Sequence, residues 1–148
     1  MIAEGLIAHE KKDCLYVYRQ TMEGREQYGL VCCVRAEDYF NGTIKKHELT
    51  RADKEEVRER APLYDFVSEK DGFGHTVWII DNDEEIEAIR KSFELIPVTY
   101  IADGHHRSAA GARAALARKE LDENHKGNEE YTRYLAILFP STQLKILD

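Results

Sequence analysis

Tyr100-Ile101-Ala102-Asp103-Gly104-His105-His106-Arg107-Ser108-Ala109-Ala110 is the stretch on which the reading of this chain turns. The run from Ile96 to Ile101 is rich in β-branched and aromatic residues and predicts a strand, whereas Ser108 to Lys119 is built from good helix formers. A strand therefore passes through a short polar turn straight into a helix. In that turn Asp103 is expected to cap the first free amides, and Gly104 to permit a close approach or an unusual dihedral. The uncapped amides of a first helical turn attract anions. Arg107 can grip a phosphate or carboxylate in bidentate fashion, and His105 or His106 can donate a hydrogen bond or carry a proton. Ala109, Ala112 and Ala115 give the helix a small face that can lie close to a sheet. The same residues also fit a solvated cap, because Asp-Gly is a common turn pair. No metal site is predicted: adjacent histidines on a helix point in different directions, and no cysteine pair or His-x-x-x-His spacing supplies partners.

Working outward, the chain has 148 residues of which 43% are hydrophobic, enough for one ordinary core, and a single α/β domain over 1–148 is expected. With 28 acidic against 21 basic residues, a nucleic-acid surface is not favoured. Neither a signal peptide nor a membrane span is visible, so a cytoplasmic location is the simplest expectation. Cys14, Cys32 and Cys33 form no redox or zinc pattern. Cys32 and Cys33 are neighbours in a strand-like run and are expected on opposite faces as small apolar residues.

Toward the N-terminus, Leu15 to Arg19 alternates strictly, Glu23-Gly24 reads as a turn and Tyr28 to Arg35 as a second strand, which together predict an antiparallel hairpin. Its tyrosine side is expected to pack against another layer. Ala36 to Phe40 predicts a helical turn. Ile44-Lys45-Lys46-His47-Glu48-Leu49-Thr50 then gathers two cations, an imidazole and a carboxylate on a loop, with Thr50 and Asp53 placed to cap a polar helix ending near Arg60. Glu48 has the chemistry of a general base, His47 of a donor or proton acceptor, and Lys45 or Lys46 of an anion clamp. An exposed charged loop is the plain alternative.

Leu63 to Val67 reads as a short strand or loop and His75 to Ile80 as a strand, with His75 a satisfied edge histidine. Asn82 with Glu85 forms a capping-box pattern for a helix to Glu94, whose buried stripe is Ile86, Ile89 and Phe93. Strand and helix alternate from His75 to Lys119, which predicts α/β packing with the central turn at a strand's C-terminal end. Leu121 to Glu130 is a charged connection, with His125 on the surface. Tyr134 to Phe139 predicts a buried strand, and Leu144 to Leu147 the start of another.

Three segments, Tyr16-Val17-Tyr18-Arg19-Gln20, Ile44 to Thr50 and Tyr100 to Arg107, together resemble the family called domain of unknown function 1015 over essentially the whole chain. Its His-Glu-x-Thr pattern falls on His47, Glu48 and Thr50, and its Asp-Gly-His-His-Arg pattern on Asp103, Gly104, His105, His106 and Arg107. The chain departs from that family at Val57-Arg58, where an Asp-Arg pair is usual, and over Ala61 to Gly74, which is short. Members of the family are usually longer, so the resemblance implies an internal fragment.

A more distant likeness links the Asp103 to Arg107 turn to the partition-protein and sulfiredoxin-like fold, where such a turn cradles nucleotide phosphates. Some proteins of that superfamily phosphorylate free serine. This likeness implies a small mixed sheet packed by helices and a nucleotide-dependent phosphotransferase acting on a hydroxyl-bearing metabolite such as an amino acid. In that reading Asp103, Gly104, His106, Arg107, Ser108 and Lys45 bind ATP or ADP, Glu48, His47 and His105 are catalytic, and phosphates with a carboxylate recruit magnesium. A metal-assisted phosphohydrolase using His47, Glu48, Asp103 and one of the two central histidines, or a non-catalytic nucleotide or anion sensor, stays open. So do a homo-oligomer and contacts with the rest of a longer protein.

Overall fold

The computed structural model describes residues 10–45 and 55–144. The predicted hairpin is present. β1 (Leu15–Met22) and β2 (Arg25–Arg35) pair antiparallel from Tyr16 opposite Val31 to Met22 opposite Arg25. Glu23 (φ 51°) and Gly24 (φ 75°) make the turn, two successive left-handed residues whose twist matches that of the strands they join. β4 (Tyr64–Val67), β5 (Gly74–Ile80) and β7 (Arg133–Leu138) complete a five-stranded antiparallel sheet in the order β4-β5-β1-β2-β7. β3 (Ile44–Lys45) and β6 (Thr99–Tyr100) form a separate parallel pair.

Register explains the core. Trp78, Val17, Leu30 and Leu138 stand directly opposite one another across β5, β1, β2 and β7. Trp78, Val17 and Leu30 are almost fully buried and share a cluster with Tyr28, Ile80 and Val57. Helix α3 (Asp83–Glu94) lays Ile86, Ile89 and Phe93 against that cluster, which is the expected stripe. The Asn82 side chain accepts from the amides of Glu84 and Glu85 at 2.9 and 3.1 Å, half of a capping box. The other half is absent, because the Glu85 carboxylate is taken by Arg60.

Two local expectations change in degree. The polar helix appears among the described residues as the short α2 (Glu55–Arg58), and it is not solvated throughout. Val57, at the position where the family resemblance leads one to expect an aspartate, is a core residue, and Arg58 lies over the Tyr28 ring at 4.3 Å. The strand expected over Ile96 to Ile101 narrows to the two residues of β6. The Ile96 amide is still bonded to Phe93 at the end of α3, Pro97 has no amide to give, and among the described residues Ile44 and Lys45 are the partners of Thr99 and Tyr100.

The second cluster sits under helix α4 (His105–Leu121). Ala112 and Ala115 are buried against Ala36, Tyr39 and Tyr134, which joins α4 to β7 and to the short α1 (Glu37–Phe40). The small face read from the sequence does what was expected of it. Strand and helix do alternate from β5 to α4, yet β5 and β6 belong to different sheets, so the alternation does not build one parallel sheet. Among the described residues no helix is long and apolar enough to cross a membrane.

Candidate functional site

The turn between β6 and α4 is built by one backbone choice. Gly104 is the N-cap residue of α4 and sits at φ 81°, the left-handed region that costs a residue with a Cβ roughly 1 kcal/mol or more. The first backbone bond of the helix runs from the Ser108 amide to the Gly104 carbonyl at 2.9 Å. The amides of His105, His106 and Arg107 precede that ladder, and no side chain caps them.

The expectation that Asp103 caps these amides is corrected. Gly104 occupies the cap position, so Asp103 stands one residue outside it, and its carboxylate accepts from Arg107 Nη2 at 3.0 Å instead. The guanidinium folds back over the glycine: a Cβ at Gly104 would lie 3.3 Å from Arg107 Nε and Nη2. Both partners are open to solvent, with 91% of Asp103 and 82% of Arg107 exposed, so the pair is available to an incoming anion at little cost.

Asp103, Gly104, Arg107 and Ser108 share the rim of a cleft of about 590 Å³ that runs between β6 and β7. His105 and His106 are exposed and are not among the residues that line it. Beneath the turn, Tyr134 packs against α4 where Gly111 leaves room, since a Cβ there would meet Tyr134 Cβ and Cγ at 3.4 Å. Burial pushes the Tyr134 hydroxyl above its ordinary range, and a hydrogen bond with Ser108 partly offsets this. Tyr134 thereby holds the first turn of α4 against the sheet.

His47, Glu48 and Thr50 lie outside the described residues, as does Asp53, and of Lys45 only the backbone is described. The backbone nonetheless relates the two polar segments. Ile44 pairs with Thr99 and Lys45 with Tyr100 in parallel register. Both chains leave this strand pair at the same end, one into Lys46-His47-Glu48 and the other into Ile101-Ala102-Asp103.

The remaining titratable groups are accounted for elsewhere. His75 is satisfied as expected, with Nδ1 2.8 Å from the Tyr18 hydroxyl and its ring stacked between Tyr18 and Phe66. Cys32 and Cys33 do face opposite ways, and burial raises the Cys32 thiol to about 11. His125 is not the simple surface residue expected. It lies 2.9 Å from both Glu129 and the Tyr131 hydroxyl, and Tyr131 donates to Asp122 at 2.8 Å. The Glu129 carboxylate also accepts the Lys126 and Gly127 amides, which hold it below its usual range, so this network closes the connection from α4 to β7. The signal missed in the sequence is the spacing Asp122-x-x-His125-x-x-x-Glu129, which brings three ligating atoms within 4.8 Å of one another.

Fold and turn together define a mixed α/β protein in which an uncapped helix start, flanked by an arginine, opens onto a cleft. The chain belongs to the family described as protein of unknown function (DUF1015), whose model matches residues 1–60 and 55–148. The two matched segments overlap at residues 55–60. No curated protein and no solved structure matches the chain.

Proposed function

We propose that this chain carries the phosphate-binding core of a nucleotide-dependent phosphotransferase whose acceptor is the hydroxyl of a small metabolite, such as an amino acid. The observation that carries the reading is the parallel pairing of Lys45 with Tyr100, which sends the His47-Glu48 segment and the Asp103 to Arg107 turn off from one end of one strand pair. A phosphoryl acceptor and a phosphate cradle have to meet within bonding distance, and this topology starts both from the same place. The uncapped amides of α4, Arg107 and His106 hold phosphate oxygens, with Ser108 beside them. Glu48, or His47 beside it, takes the proton of the attacking hydroxyl, and His105 assists proton movement. As the oxygen–phosphorus bond to the acceptor forms, the bond to the nucleotide breaks, and Arg107 and Lys45 neutralise the charge on the transferred group. ATP or ADP is the donor, and a magnesium ion recruited by its phosphates and a carboxylate supplies further neutralisation.

Isothermal titration with ATP and ADP, with and without magnesium, tests the reading. Saturable binding in the micromolar to millimolar range supports it, and no heat at millimolar nucleotide rejects it. Glu48→Gln then separates an enzyme from a sensor: the variant is expected to bind nucleotide like the wild type while turnover falls by about 10²- to 10⁴-fold. A phosphohydrolase would release phosphate without any acceptor metabolite.

A further inference from the structure

The far end of α4 carries a second cluster of functional groups. Asp122 is the C-cap of the helix, separated from Gly104 by 17 helical residues, roughly 25 Å of helix rise. The last carbonyls of a helix carry the negative end of its dipole, which favours a cation there. Just beyond that end the chain brings Asp122, His125 and Glu129 together, with one ligating atom of each within 4.8 Å of the others. All three are half-buried. Among the described residues neither carboxylate is paired with a lysine or an arginine: Glu129 faces the His125 imidazole at 2.9 Å, and Arg118 lies over the Tyr131 ring instead. Two neighbouring carboxylates partly withdrawn from water leave a local negative charge that a bound cation balances. The imidazole between them offers a lone pair as readily as a proton.

Both carboxylates are held in place from outside the cluster. Asp122 Oδ1 accepts the Asn124 amide at 3.0 Å and Oδ2 the Tyr131 hydroxyl at 2.8 Å, while Glu129 accepts the Lys126 and Gly127 amides. Each oxygen keeps a second lone pair, so these bonds orient the groups as outer-shell partners orient metal ligands. One imidazole with two carboxylates and no thiolate is a nitrogen and oxygen donor set. It suits a borderline ion such as zinc better than magnesium or calcium, which take oxygen. We propose that Asp122, His125 and Glu129 bind one zinc-class divalent cation, which clamps the connection from α4 to β7. Water completes the shell, Tyr131 positions Asp122, and the Nδ1 proton of His125 leaves to solvent as the ion enters. This inference does not depend on the phosphotransferase reading, whose magnesium comes with the nucleotide at the other end of α4.

The test is titration of the metal-free 148-residue chain with Zn²⁺ by calorimetry and with Co²⁺ by NMR. Saturation at about one equivalent of Zn²⁺ is expected, and His125→Ala and Glu129→Gln should each weaken binding at least about tenfold. Paramagnetic Co²⁺ should broaden the amide signals of residues 122–131 first. No saturable binding at millimolar metal overturns the proposal, and so does either variant binding zinc like the wild type. Broadening centred on His105 and His106, or on Cys33, also overturns it, because the ion would then sit on exposed donors elsewhere. If the variants do not fold, the Co²⁺ map of the wild type decides between these outcomes.

Discussion

The Asp103 carboxylate accepts a hydrogen bond of 3.0 Å from Arg107 across the left-handed Gly104, so the arginine on the cleft rim is held by an anion of its own chain. An incoming phosphate has to compete with that carboxylate. Arg107→Ala is expected to weaken ADP binding about tenfold or more, the cost of one charge-assisted hydrogen bond. Asp103→Asn, which releases the guanidinium, is expected to strengthen binding by about two- to fivefold. Titration calorimetry reads both. Neither change should move folding stability by more than about 0.5 kcal/mol, because an exposed ion pair contributes little.

Gly104→Ala tests the turn from the backbone side. Alanine at φ 81° is strained, and its Cβ would press on Arg107 at 3.3 Å. The variant is expected to lose about 1 kcal/mol, or about 3 to 4 °C in Tm for a domain of this size. It should lose anion affinity as well, since the arginine can no longer lie over the turn. Thermal unfolding and ADP titration on one preparation separate the two effects.

What was legible in the sequence was local. Alternation from Leu15 with the Glu23-Gly24 pair dictates the β1–β2 hairpin, and Asn82 with the Ile86, Ile89 and Phe93 stripe dictates α3. Ala112 and Ala115 marked the buried side of α4 because only small residues let a helix approach that closely. Alternation says which face a residue takes but not which strand lies beside it. The pairing of β5 with β1, and of Lys45 with Tyr100, are long-range choices that local pattern does not encode. The two misread groups, Asp103 and His125, were misread for the same reason. Each side chain had a plausible role by position alone, as a cap and as a surface residue, and each was claimed by a partner four residues on, Arg107 and Glu129.

Gly29 measures how closely β2 and β7 approach behind the cleft. A Cβ there would collide with Ile137 and sit 2.9 Å from the Phe139 ring. Gly29→Ala is therefore expected to destabilise the fold by about 1 to 3 kcal/mol through overpacking, measured by urea unfolding. Combining it with Ile137→Ala, which removes the colliding Cγ2 methyl, should cost less than the sum of the two single changes. If the two changes simply add, the contact does not govern this strand pair.

Cys32 gives the sheet a pH signature. Burial raises its thiol from about 9 to about 11, so over that interval the unfolded chain releases a proton that the folded chain keeps. Stability from this group is complete below pH 9 and is lost as pH rises toward 11, by an amount on the order of 2 kcal/mol. Urea midpoints measured from pH 8 to 10.5 should fall, and Cys32→Ala should flatten the part of the decline that this thiol causes. The same burial separates the two neighbours chemically. At pH 8 exposed Cys33 should react with a thiol reagent at least tenfold faster than Cys32, followed by mass spectrometry of the labelled peptide. Comparable rates at the two sulfurs would show that β2 opens along this edge on the timescale of labelling, because Cys32 is the less accessible of the two in the static structure.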